Sequence, residues 1–163
     1  MIKKIKLNSS SLGFTLIELM IVTTIIMLIT GGGIASFLNF NDKQLVLNSA
    51  KELQGYLRTA QTLARVGETP AGCDRLIGYK VVTADAGSIK EVSLLAVCSS
   101  GDIQRNVFSL SEGVTLSSDI EITFLGLYGG VTGASQIDIT SDSGRSYSFE
   151  VSSGGEITQG GFL

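Results

Sequence analysis

The sequence predicts an α+β protein. A long N-terminal α-helix, with a transmembrane half and an amphipathic half, is expected to pack on a C-terminal antiparallel β-sheet domain. Three observations lead there. From residue 14 to residue 40 the only charged side chain is Glu18. From Val46 to Ala64 apolar and small residues recur on one helical face. From residue 76 onward, short runs alternate apolar and polar residues between glycine-rich links. A helix first and strands afterwards is the α+β order.

The helix begins with FTLIELMIVTTIIMLIT, residues 14–30. Extended to Phe40, it would measure roughly 40 Å at 1.5 Å per residue, against a bilayer core of about 30 Å. Lys3, Lys4 and Lys6 precede it. The positive-inside rule places that end in the cytoplasm and everything after the helix outside. The plain readings are a signal anchor or a cleaved secretory signal. A secretory signal ends in small residues at its cleavage site, whereas this apolar run starts directly after Gly13. A mid-membrane acid costs about 2.5–3.5 kcal/mol on insertion scales, so Glu18 suits neither reading. Its place near the helix start softens that cost.

Gly31, Gly32 and Gly33 interrupt the run. Each costs a helix roughly 0.8–1 kcal/mol relative to alanine. Gly31 with Ala35, and Gly32 with Ser36, would let another helix approach closely. Three consecutive glycines exceed what packing needs, which favours a soft point in the helix. If the helix breaks there, Asp42 is a candidate N-terminal cap. Beyond it, Val46, Ala50, Leu53, Leu57, Ala60 and Ala64 recur at steps of four and three, one apolar face with most charges off it. Gly67 and Pro70 mark the end.

Strand candidates follow at 76–83, 91–98, 106–110, 114–117, 120–125, 136–140, 147–151 and 156–158. Ile120, Ile122 and Phe124 alternate with polar residues, as do Tyr147, Phe149 and Val151. Period two with one polar face implies antiparallel strands covering a core on one side. The segment 85–88 is turn-rich and links the first two candidates.

Composition narrows the chemistry. There is no histidine, so the commonest general base and metal ligand is missing. No phosphate loop is present. Two cysteines are too few for a four-cysteine zinc site. The run DITSDSG, 138–144, resembles a calcium loop only faintly and lacks further ligands at suitable spacing. The expectation is a protein without catalytic residues, cofactor or metal. Net charge is −3; without residues 1–13 the 12 basic residues fall to 9 against 15 acids, or −6. An acidic chain argues against general nucleic-acid binding, which rests on phosphate neutralisation.

A short basic leader, then GFTLIEL, then an apolar helix resembles the class III prepilin signature of type IV pilins and type II secretion pseudopilins. The resemblance implies that a membrane aspartyl peptidase cuts after Gly13 and N-methylates Phe14. It implies an assembly role for Glu18, the fifth residue counted from Phe14. In a stack of parallel helices, Glu18 could pair with the new amine of a neighbour. The implied partners are the prepilin peptidase and methylase, an inner-membrane assembly platform, membrane lipid, and other pilins or pseudopilins in a filament. The implied location is the bacterial inner membrane, single-pass with a cytoplasmic N-terminus, and then the pilus or pseudopilus. The chain divides accordingly into a cleaved leader (1–13), a transmembrane and assembly helix (14–40), an amphipathic half (41–67) and an extracytoplasmic β-rich domain (68–163).

The later segments LRTAQTLAR (57–65), LSEGVTLSSDIEITFLGLYG (110–129) and VSSGGEIT (151–158), with a cysteine after the helix, look like the GspH/FimT-like minor pseudopilins and minor pilins. Some of that group bind DNA through a glycine-arginine motif with a second basic residue. Here Gly144 and Arg145 are followed by Ser146, Tyr147 and Ser148. A lone Arg145 between Asp142 and Glu150 reads as a turn residue and a poor phosphate site. Cys73 and Cys98 fall on the outward, oxidising side, where a disulfide is expected; two free buried thiols are the alternative.

Overall fold

The computed structural model describes residues 13–86, 89–126 and 129–163, with the backbone alone at 32–36, 85, 86 and 89. The lysine-bearing leader and the Gly87-Ser88 link lie outside the described residues. The chain divides into two compact units, Met1–Asn39 and Phe40–Leu163.

A single helix, α1, runs Leu16–Val66. Its backbone is helical through residues 31–33, so the soft point expected at the glycine triplet is not a break in the isolated chain. Asp42 therefore lies within the helix and caps nothing. The helix ends where expected. Gly67 takes a φ of +70°. Its N–H donates to the Leu63 carbonyl at 3.0 Å, and the Glu68 N–H reaches the same oxygen at 3.3 Å. This is the left-handed glycine terminus that satisfies a free helical carbonyl.

In the second unit α1 packs on antiparallel sheet. One sheet orders β3-β2-β1-β5-β6 and the other β4-β7-β8-β9. The strands are β1 (Leu76–Ala86), β2 (Ile89–Cys98), β3 (Gly101–Ser109), β4 (Val114–Leu116), β5 (Glu121–Leu125), β6 (Val131–Thr132), β7 (Gln136–Ser141), β8 (Ser146–Glu150) and β9 (Gly161–Phe162). All pairings are antiparallel. The helix face from Val46 to Ala64 is buried throughout. It meets Tyr79, Val81, Val92, Leu94, Ile122 and Phe124 from one sheet, and Ile137, Ile139 and Phe149 from the other. Burial of each large apolar side chain contributes about 1.5–3 kcal/mol, so this seam is the domain's principal source of stability.

Several strand expectations change. β1 continues to Ala86 in register with β2, so residues 85 and 86 are strand rather than turn. β3 begins at Gly101, not at residue 106, because the polar run Gly101–Arg105 pairs along the edge of β2. Between Asn106 and Gln104 the register slips against Leu94 and Leu95, leaving Arg105 as a bulge. Arg105 is tied to Glu68 at 2.7 Å. The expected strand at 156–158 reduces to one bridge, Val151 to Ile157. The two-residue strands β6 and β9 are too short to carry an alternation pattern.

Between β1 and β5 the chains approach closely at Gly78. A Cβ built there would stand 2.3 Å from the Phe124 carbonyl oxygen, so glycine is required by space alone.

Candidate functional site

The chemistry-bearing residues begin just before α1. Residues 13–15 are non-helical. The Gly13–Phe14 peptide bond therefore lies in accessible backbone, with Phe14 78% exposed. Thr15 caps the helix: its hydroxyl accepts from the Glu18 N–H at 3.3 Å. Its carbonyl accepts from the Leu19 N–H at 3.2 Å. Thr15-x-x-Glu18 has the capping-box spacing, a signal present in the sequence itself. Glu18 sits in the first turn, where the macrodipole favours negative charge. Among the described residues its carboxylate has no ion-pair partner.

The helix that follows is apolar on every side. Leu16, Leu19, Ile25, Met27, Leu28 and Ile29 are all exposed. An apolar surface with no polar face needs a cover. Its hydroxyls already have partners. Thr23 donates to the Met20 carbonyl at 3.0 Å and Thr24 to the Ile21 carbonyl at 2.8 Å. Thr30 donates to the Ile26 carbonyl. Glu18 is thus the one ionisable group of this surface. Among the described residues no helix is long and apolar enough to cross a membrane.

Cys73 and Cys98 form a disulfide with a Cα separation of 5.6 Å. It fastens the loop after α1 to the end of β2. Arg145 lies in the turn between β7 and β8. Its N–H donates to the Ser141 hydroxyl at 3.3 Å and its carbonyl accepts from the Ser141 N–H at 2.9 Å. Asp142 is exposed in the same turn. Arg145 belongs to a different unit from Glu18. Asp138 is engaged locally: hydrogen bonds from Ser148 and Gln136 hold its carboxyl below the usual range. Among the described residues there is no group of three His, Cys, Asp or Glu placed to hold a metal.

Two polar residues of α1 outside the expected sites hold a distant segment in place. Gln54 Nε2 donates to the Thr158 carbonyl at 3.1 Å and Gln61 Nε2 to the Gly155 carbonyl at 2.6 Å. Their seven-residue spacing beside the apolar face was the available signal. They pin the irregular segment 152–160 to the helix. Tyr79 does similar work at the helix end, donating to the Glu68 carbonyl at 2.7 Å; burial raises its pKa.

Comparison with known proteins adds one match. A family model described as the prokaryotic N-terminal methylation motif matches residues 8–34. That is the class III prepilin signature, and it supports a place among type IV pilins and pseudopilins. No curated protein and no solved structure matches the chain.

Proposed function

We propose that this protein is a structural subunit of a type IV pilus or type II secretion pseudopilus, assembled by helix packing and without catalysis of its own. Prepilin peptidase removes residues 1–13 and methylates the amine of Phe14. Before assembly the helix from residue 14 to 40 spans the bacterial inner membrane, with the domain from 68 to 163 outside. The observation that carries this reading is the lone carboxylate of Glu18, in the first turn of a helix that is apolar all round.

Cleavage would create a positive amine at the positive end of the helix macrodipole, an unfavourable place for it. A carboxylate from a neighbouring helix relieves that charge. Away from water the pair is strongly favoured over two separate ions. Because Glu18 lies one turn beyond Phe14, such pairing would fix the axial register of adjacent subunits.

The test is Glu18→Ala in cells that assemble filaments. Mass spectrometry of the N-terminus should still find Phe14 as a methylated first residue, while sheared filaments lose the variant. Normal incorporation of the variant would refute the role of Glu18. A chain processed and methylated yet confined to membranes would instead mark an anchored protein outside any filament.

A further inference from the structure

Lys51, Gln54, Arg58, Gln61 and Arg65 recur along α1 at steps of three and four. They form one stripe beside the buried face. The glutamines turn onto the 152–160 segment. Lys51, Arg58 and Arg65 are exposed, and among the described residues none of the three is in an ion pair. The sheet treats its cations differently. Lys80 meets Asp102 at 2.7 Å and Glu121 at 3.5 Å, Lys90 meets Asp119 at 3.0 Å, and Arg105 meets Glu68 at 2.7 Å. The unpaired cations line two adjoining hollows of about 540 and 400 Å³ that share Arg58. Glu156 lines the second, one carboxylate against Arg58 and Arg65.

The same unit carries an opposite charge elsewhere. Glu112 and Asp142 are exposed, and among the described residues neither is ion-paired. The Asp142 N–H donates to the Gly113 carbonyl at 3.1 Å. A Cβ on Gly113 would stand 3.5 Å from Asp142 Oδ2 and 3.8 Å from Leu45 Cδ2. The acidic corner therefore sits beside Leu45. At 100° per residue, Leu45 lies about 100° to one side of the buried face and the cationic stripe about 100° to the other. Along the axis they are offset by roughly 10–30 Å. Corner and stripe thus occupy opposite flanks of one body and do not neutralise each other.

We infer that the Lys51–Arg58–Arg65 stripe is a docking surface for the Glu112–Asp142 corner of a second copy of this chain. The contact is heterologous, so parallel copies offset along the helix axis repeat it. It deepens the assembly role proposed above and rests on it. A phosphate backbone is the less favoured occupant, since the chain is acidic overall and Glu156 intrudes on the hollow.

The test uses the full chain in detergent micelles, with isotope-labelled and unlabelled copies mixed and a zero-length carbodiimide added. Cross-links of mixed isotope should join Lys51 to Glu112 or Asp142. Arg58→Glu with Arg65→Glu should lower their yield about tenfold, the scale expected when exposed pairs turn repulsive. Glu112→Lys with Asp142→Lys should do the same, and combining both sets should restore it. Circular dichroism establishes that each variant is folded. Intermolecular cross-links that avoid these residues, or a combined variant without rescue, overturn the inference. Salt-dependent binding of duplex DNA that is lost in Arg58→Glu/Arg65→Glu, with no such cross-links, overturns it in favour of nucleic acid. If Glu18→Ala blocks incorporation while the reversals have no effect, only this contact falls. If wild-type copies do not associate at all, this contact falls, and incorporation of the wild-type chain and Glu18→Ala into filaments decides the assembly role separately.

Discussion

Reducing the Cys73–Cys98 bridge should cost this protein a large part of its stability. The two cysteines are separated by 25 residues. Closing a loop of that length removes about 3.5 kcal/mol of chain entropy from the unfolded state. Replacing both residues by alanine adds the loss of the buried Cys98 sulfur, about 1 kcal/mol more. With a urea slope of about 2 kcal/mol/M, reduction should lower the unfolding midpoint by nearly 2 M, and the double alanine variant by slightly more. The slope itself should rise on reduction, because the open chain exposes more surface. The assay is a urea titration in detergent micelles, followed by the near-ultraviolet circular dichroism of the tyrosines. Oxidised and reduced chains unfolding within about 0.3 M of each other would refute the entropic reasoning.

Leu57→Ala, at the centre of the buried helix face, should cost about 2–5 kcal/mol and lower the melting temperature accordingly. Gly78→Ala should cost about 1–3 kcal/mol, since the new methyl forces β1 away from the Phe124 carbonyl. Asp138 has a lowered folded-state pKa, so it stabilises the fold above its unfolded pKa and that contribution is lost as pH falls through the folded value. Asp138→Asn should therefore flatten the acid side of a stability–pH curve measured by urea midpoints between pH 7 and 3.

The parts of the fold that follow from periodic burial were legible in the sequence. The buried helix face contains all six residues from Val46 to Ala64 that its spacing picked out, and Ile122, Phe124, Ile137 and Ile139 point inward as their alternation implied. The start of β3 was not legible. Gly101–Arg105 is an edge segment, and its polar residues carry no inward pattern to read. The 152–160 segment is placed by Gln54 and Gln61 rather than by apolar periodicity, so its shape was hidden in two polar residues. For the candidate site, the linear motif around Gly13, Phe14 and Glu18 was plain. The match of Lys51, Arg58 and Arg65 to an acidic corner depends on where β4 and the β7–β8 turn land beside Leu45, and that is tertiary information.

The bulge at Arg105 has a consequence for growth. An uninterrupted β3 would offer a straight row of unsatisfied backbone donors and acceptors, and two such rows zip together without regard to orientation. Arg105 breaks the row near its middle, and its tether to Glu68 holds a charge against the rim. The β3 edge is thereby kept from pairing sideways with another sheet. On the assembly proposed above, growth is left to the helix, whose end a peptidase must first release.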